Sequence, residues 1–164
     1  MRNFSVLLAL LCISTFGHTA EPTGSRLTGI RYNQLAEVIR STTDRPTLVY
    51  FWGEFCPPCR AKYPGYVQLG QQLGSSKLRE MSVSLDEAGD PNAIAAARTF
   101  LERSGSQATH YYFLDKPDLW LEKLKMRGPP VMFLFDAQGR LVQRWDGGEI
   151  DFTVIRQRIE ALNR

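Results

Sequence analysis

The stretch Thr47-Leu48-Val49-Tyr50-Phe51-Trp52-Gly53-Glu54-Phe55-Cys56-Pro57-Pro58-Cys59-Arg60 decides the fold. Residues 47–52 make a near-continuous apolar run of strand length, the pattern of a strand covered on both faces of a sheet. Two cysteines follow, two residues apart. Pro57 suits the first turn of a helix, where its missing N–H breaks no hydrogen bond. That helix is expected to run to about residue 72, kinked at Pro64, which removes an interior hydrogen bond. Gly70 and Gly74 help to end it. Two thiols so placed can close a disulfide and reopen it, so the chemistry to expect first is redox exchange.

Working outward, residues 21–30 are polar, with Pro22, Gly24 and Gly29, and read as a linker. Tyr32, Leu35, Ala36, Val38 and Ile39 have helical spacing. Residues 81–85 alternate as a second strand. Asp90-Pro91 is a helix start, an N-cap followed by proline, and Ile94, Ala97, Phe100 and Leu101 supply that helix with one apolar face. Residues 110–114 read as a third strand, and a short helix follows Pro117. Residues 131–135 form another apolar strand, a turn follows at 136–139, and 140–145 complete a hairpin. Phe152, Ile155, Ile159 and Leu162 mark a closing amphipathic helix. Strands alternating with helices argue for an α/β layered domain over 31–164, with helices on both faces of one sheet. Trp120 and Trp145 read as packing residues.

The chain has 164 residues, 43% of them hydrophobic, with a formal net charge of +3. That suits one domain with an ordinary core. The basic residues are scattered and not interleaved with aromatics, which argues against nucleic acid as a partner. Residues 1–20 differ in kind. Arg2 precedes an apolar stretch from Phe4 to Phe16, and Gly17-His18-Thr19-Ala20 can close it. This reads as a signal peptide for export, to the periplasm, with an uncleaved membrane anchor as the alternative because His18 sits where a small residue is preferred. Of three cysteines, Cys12 leaves with the signal. An exported chain of this length with one close cysteine pair is not a disulfide-stapled scaffold.

Cys56 stands at a strand–helix junction. Helix N-termini carry unpaired N–H groups and partial positive charge, which favour a thiolate. Cys56 is therefore the expected outer, attacking sulfur, and Cys59, one turn on, the shielded one that resolves the mixed disulfide. Two other readings compete. Structural zinc wants four ligands, and the chain beyond residue 20 offers this pair and His110, which more simply caps or flanks a strand. An inert disulfide across so short a loop removes little entropy from the unfolded chain.

These residues resemble the thioredoxin fold. Residues 51–60 are similar to the thioredoxin active-site strand, turn and helix. Met126-Arg127-Gly128-Pro129-Pro130-Val131-Met132-Phe133-Leu134-Phe135 is similar to the segment that bears the cis-proline, which gapless matching puts at Pro130. With the export signal and a longer inserted helical segment at 86–109, the chain resembles the TlpA/ResA-like branch of exported thiol-disulfide oxidoreductases. The resemblance implies a thioredoxin-like α/β fold with a central mixed sheet, and Cys56, Cys59 and Pro130 at the reacting centre. It implies no cofactor or metal, a monomer, protein thiols and disulfides as partners, a membrane electron donor, and a reducing direction.

The departures are specific. Tyr50 stands where such proteins often bury an acid, and Lys62 where a glutamate often follows the second cysteine. Glu54 is then a substitute for proton transfer, and Lys62 and Arg60 are candidates for stabilising a thiolate. Pro129 precedes the cis-proline where a backbone N–H usually meets a bound peptide, and it has none, so substrate is expected to dock more weakly or in another orientation. Trp52 and Phe55 are candidates for an apolar docking rim, with core packing as the plainer reading of Trp52. Two further functions remain. One is a thiol peroxidase, weakened by Gly53 where such sites resemble one another in carrying threonine or serine. The other is a binding module or metal chaperone without turnover.

Overall fold

The computed structural model describes residues 26–41 and 44–164, so the signal reading of 1–20 and most of the linker lie outside the described residues. The strands are β1 (Leu27–Ile30), β2 (Thr47–Trp52), β3 (Arg79–Ser84), β4 (Thr109–Phe113), β5 (Val131–Phe135) and β6 (Leu141–Asp146). The helices are α1 (Tyr32–Arg40), α2 (Pro57–Leu73), α3 (Pro91–Ser104), α4 (Pro117–Leu124) and α5 (Phe152–Leu162), with a 3-10 turn at Gly147–Glu149.

One sheet of six strands runs in the order β1-β4-β3-β2-β5-β6. The first four lie parallel, whereas β5 is antiparallel to both β2 and β6, so the sheet is mixed. Each parallel step needs a crossover, and helices provide it. α2 links β2 to β3, and α3 links β3 to β4. The 86–109 segment is thus a crossover carrying one helix.

The two faces of β2 sort its side chains by parity. Leu48, Tyr50 and Trp52 join Tyr63, Tyr66, Leu101, Ile155 and Ile159 beneath α2, α3 and α5. Val49 and Phe51 join Leu35, Ile39, Trp120 and Phe133 beneath α1 and α4. With both faces covered, every residue of β2 is buried, which is why that strand reads as an unbroken apolar run. Local chemistry starts two of the helices: Asp90 accepts the Asn92 and Ala93 N–H groups ahead of α3, and Asp151 those of Thr153 and Val154 ahead of α5.

One expectation changes. Residues 27–30, read as the end of a linker, form edge strand β1, paired in register from Leu27↔His110 to Ile30↔Phe113. Only Leu27 and Ile30 of this strand are buried, so four residues carry too little alternation to show against a polar background. α2 spans Pro57 to Leu73 with Pro64 inside it, close to the expected end at about residue 72.

Candidate active site at the carboxyl end of β2

Cys56 is the N-cap of α2, in extended backbone at the point where β2 hands over to the helix. Its Sγ is bonded to that of Cys59, with 5.3 Å between the Cα atoms. The two sulfurs are not equivalent: Cys56 is 6% exposed and Cys59 0%. The Cys59 N–H donates to Cys56 Sγ at 3.2 Å. The two helical positions before it, Pro57 and Pro58, have no N–H to give. The first three positions of α2 therefore aim a single backbone donor at the outer sulfur.

The Pro129–Pro130 peptide bond is cis. Antiparallel pairing of Phe51 with Val131 sets the preceding Pro130 across from Trp52, at the end of β2 that leads to Cys56. The Pro130 carbonyl accepts the Gly147 N–H at 2.8 Å. Pro130 is buried and Pro129 half-buried, so Pro129 is the one of the pair with surface to offer, and only its carbonyl can bond.

Phe55 is 60% exposed and forms an apolar knob beside the disulfide. Its ring lies over Gly53, where a Cβ would overlap the ring edge. A side chain at 53 would displace it. Trp52 is not part of this rim. It is fully buried, closes a central strand, and packs its ring 5.1 Å from that of Tyr63 and 5.0 Å from that of Phe100. The docking role expected for it gives way to the core reading, because a last residue of β2 pointing toward α2 and α3 has no path to solvent.

The groups considered for proton transfer or thiolate tuning have other partners. Glu54 binds Arg60 at 2.7 Å on the outer surface. Lys62 donates to the Ile150 carbonyl at 3.1 Å, ahead of α5. Tyr50 fills the place of the usual buried acid, and its hydroxyl donates to the Cys59 carbonyl at 3.0 Å. Its ring lies 5.7 Å from that of Tyr63 and 5.3 Å from that of Tyr66. Burial raises all three phenols above their ordinary pKa. They stay neutral, so Tyr50 fixes the first turn of α2 and does not act as a base at ordinary pH.

Two polar groups here were not read from the sequence as site residues. Ser82 accepts the Trp52 indole N–H and the Tyr63 hydroxyl, both at 3.3 Å, and sits 2.7 Å from His110 Nδ1. With two donors already on its oxygen, Ser82 gives its own proton to Nδ1, which leaves the proton of neutral His110 on Nε2. Burial pushes His110 down to about 4. His110 is thus a buried core residue within β4, not one that caps or flanks a strand. The second group is Asp86, 5% exposed. It accepts the Glu54 N–H at 2.9 and 3.1 Å and the Ser84 hydroxyl at 2.6 Å. Its only trace in the sequence is an acid directly after the alternating stretch 81–85.

A sheet of this order, a cis-proline facing the strand end and a cysteine pair on the next helix make the comparison with known proteins decisive. The pattern of the AhpC/TSA family matches residues 30–144. The chain belongs to the AhpC/TSA family. Over 100 residues it is 33% identical to the thiol:disulfide interchange protein DsbE homolog of Paracoccus denitrificans, covering 61% of this chain and 50% of that protein. Over 51 residues it is 39% identical to a thioredoxin of Rickettsia bellii, covering 31% and 46%. The chain spans about half the length of the curated relatives it matches. A thiol-disulfide isomerase from Corynebacterium glutamicum superposes with a TM-score of 0.65 at 18% identity, over 74% of this chain and 82% of that one. StoA from Bacillus subtilis superposes with a TM-score of 0.57 at 16% identity, over 71% and 84%. These superpositions establish a thioredoxin-like fold.

Proposed function

We propose that this chain is an exported thiol-disulfide oxidoreductase that reduces disulfides of other exported proteins. The observation that carries the reading is the asymmetric pair: an outer Cys56 at the N-terminus of α2, bonded to a fully buried Cys59. In the dithiol form, Cys56 thiolate attacks one sulfur of a substrate disulfide. A mixed disulfide forms, and the departing substrate thiolate takes up a proton. Cys59 then gives up its proton and attacks Cys56 Sγ, which closes the disulfide and frees the second substrate thiol. The substrate gains two electrons and two protons and the protein loses them, so a dithiol donor at the membrane must recharge it.

Phe55 supplies apolar contact and the Pro129 carbonyl an acceptor for the bound segment, with Pro130 beside them. The reducing direction is favoured by the pair Pro57-Pro58. A helix terminus with one N–H aimed at Cys56 stabilises the thiolate less than one with several, and a less stabilised reduced form is a stronger reductant. The protein works as a monomer in the periplasm after cleavage at residue 20. No helix among the described residues is long and apolar enough to cross a membrane, so an anchored form rests on residues 1–20.

The test is turnover of a disulfide-bonded protein substrate with Cys56→Ser and Cys59→Ser. Cys56→Ser is expected to abolish turnover, and Cys59→Ser to accumulate a mixed disulfide at Cys56. A partner retained unchanged by Cys56→Ser, with no turnover in the unaltered chain, would establish a binding module instead. An equilibrium potential at or below about −220 mV supports the reducing direction, and one near −120 mV reverses it.

A further inference from the structure

Asp86 is a buried carboxylate at the reacting end of the sheet, and it has no cation. None of the ion pairs among the described residues includes it. Its hydrogen-bond donors are neutral: the Glu54 N–H and the Ser84 hydroxyl. Ser84 Oγ in turn accepts the Asp86 N–H at 3.1 Å, which locks the carboxylate's own backbone. The position is anchored further by the Leu85 N–H, which donates to the Trp52 carbonyl at 2.7 Å. The carboxylate therefore belongs to the same rigid corner as the Gly53–Phe55 loop.

That loop leads directly to Cys56. Only Phe55 stands between Glu54 and Cys56, so their Cα atoms lie at most about 7 Å apart. The carboxylate thus stands within roughly 10 Å of the Cys56 backbone. Of the other charges around this corner, some are paired, some face water, and one, half-buried Lys62, meets a neutral carbonyl. Glu54 is paired with Arg60, and Lys62 is held by the Ile150 carbonyl. Glu87 and Lys116 are exposed, and Asp115 accepts the Tyr32 N–H at 2.6 Å and pairs with Arg31. Among the described residues, Asp86 is the buried carboxylate at this corner without a counterion, and its field reaches the outer sulfur. A unit charge about 10 Å away at an effective dielectric near 20 shifts an ionisation equilibrium by the order of tenfold.

We propose that Asp86 is a positioning residue of the redox centre: it pins the loop that presents Cys56, and its uncompensated charge holds back the Cys56 thiolate, making the dithiol a stronger reductant. This rests on the oxidoreductase reading above. The exchange itself is unchanged, with two electrons and two protons passing from the Cys56–Cys59 dithiol to the substrate disulfide. Asp86 transfers none of them. Its effect is confined to pH values at which the reduced form carries a thiolate.

The test uses Asp86→Asn, which keeps an oxygen for the Glu54 N–H and removes the charge. Thiolate absorbance of the reduced protein is titrated, and the potential is measured across pH in a thiol–disulfide buffer. Asp86→Asn is expected to give about tenfold more Cys56 thiolate at a pH below the thiol's own pKa. At alkaline pH its potential should be less negative by about 30 mV, the equivalent of tenfold for two electrons, with the difference fading as pH falls. Glu87→Gln, which removes an exposed acid one residue along, should change neither. Ser84→Ala keeps the charge and takes away a donor, so it should reduce the thiolate fraction, and it carries the test if Asp86→Asn does not fold. An unchanged titration in Asp86→Asn, or a shift equalled by Glu87→Gln, overturns the proposal and leaves the oxidoreductase reading intact. So does a Ser84→Ala thiolate fraction that is unchanged or raised. An unaltered protein with no reversible transition overturns both.

Discussion

Cys56 and Cys59 differ by one turn of helix, and that difference divides the chemistry between them. In the proposed exchange the outer sulfur meets substrate, and the fully buried inner one meets only the protein. Tyr50 sits behind the inner one in the place of an acid, and its role is structural. Tyr50→Phe removes the hydrogen bond to the Cys59 carbonyl and leaves a buried acceptor short of one donor. A loss of about 1 kcal/mol in urea unfolding is expected, with the pH profile of turnover unmoved. A shifted pH profile would make the phenol part of the proton path. Pro129 is the other residue whose chemistry is readable one atom at a time. Pro129→Thr restores a backbone N–H beside the cis-proline, and KM for a disulfide-bonded protein substrate is expected to fall. Unchanged kinetics would show that the bound segment does not use that position.

At the scale of elements, α2 both presents the disulfide and covers the core, and its packing against β3 has one unusual point. Gly70 faces Glu80, whose carboxylate occupies the space a Cβ would take: a side chain there would lie far inside van der Waals contact with Glu80 Oε2. Burial pushes Glu80 up to about 7, and its Oε1 has no hydrogen-bond partner. Beside it opens a hollow of about 490 Å³ lined by Arg45, Gly70, Arg79, Glu80 and Thr109 among others. In Gly70→Ala the carboxylate must swing into that hollow, toward water and the two arginines. Its pKa should then fall toward the ordinary range. Helix propensity adds up to about 1 kcal/mol in favour of alanine. Gly70→Ala is therefore expected to be more stable than the unaltered chain at pH 8, read from urea midpoints. A less stable variant would show that the carboxylate has no exit.

At the scale of the whole molecule, Glu80 and His110 act on stability in opposite directions. Glu80 is raised from 4.5 to about 7, so its contribution is fully present below 4.5 and is lost as pH rises to 7. His110 is lowered from 6.5 to about 4. The unfolded chain takes up that proton first, so stability is lost as pH falls from 6.5 to 4. Each slope is about 1.4 kcal/mol per pH unit, and they oppose one another across the shared window. Glu80→Gln should therefore expose a loss of stability toward acid, and His110→Asn a loss toward neutral pH, in urea midpoints measured from pH 4 to 8. Equal profiles for both variants would mean that neither group is buried in the way described.

Much of the domain was legible in one dimension because its signals are local. A strand covered on both faces reads as 47–52 does, Asp90-Pro91 opens a helix by its own hydrogen bonds, and two cysteines two residues apart carry their chemistry wherever they lie. The sequence by itself thus determined the α/β order, the cysteine pair and the proline that faces it. Tertiary structure alone decided the rest, because partners distant in the chain set it. β1 exists by pairing with β4, and Lys62 is claimed by Ile150. Trp52 is sealed by Phe100 and Tyr63. Asp86 becomes part of the centre only when the end of β3 is laid beside the loop after β2. A hydrogen bond across 32 residues leaves no periodicity and no motif, and the field of a buried charge depends on what the fold fails to place next to it.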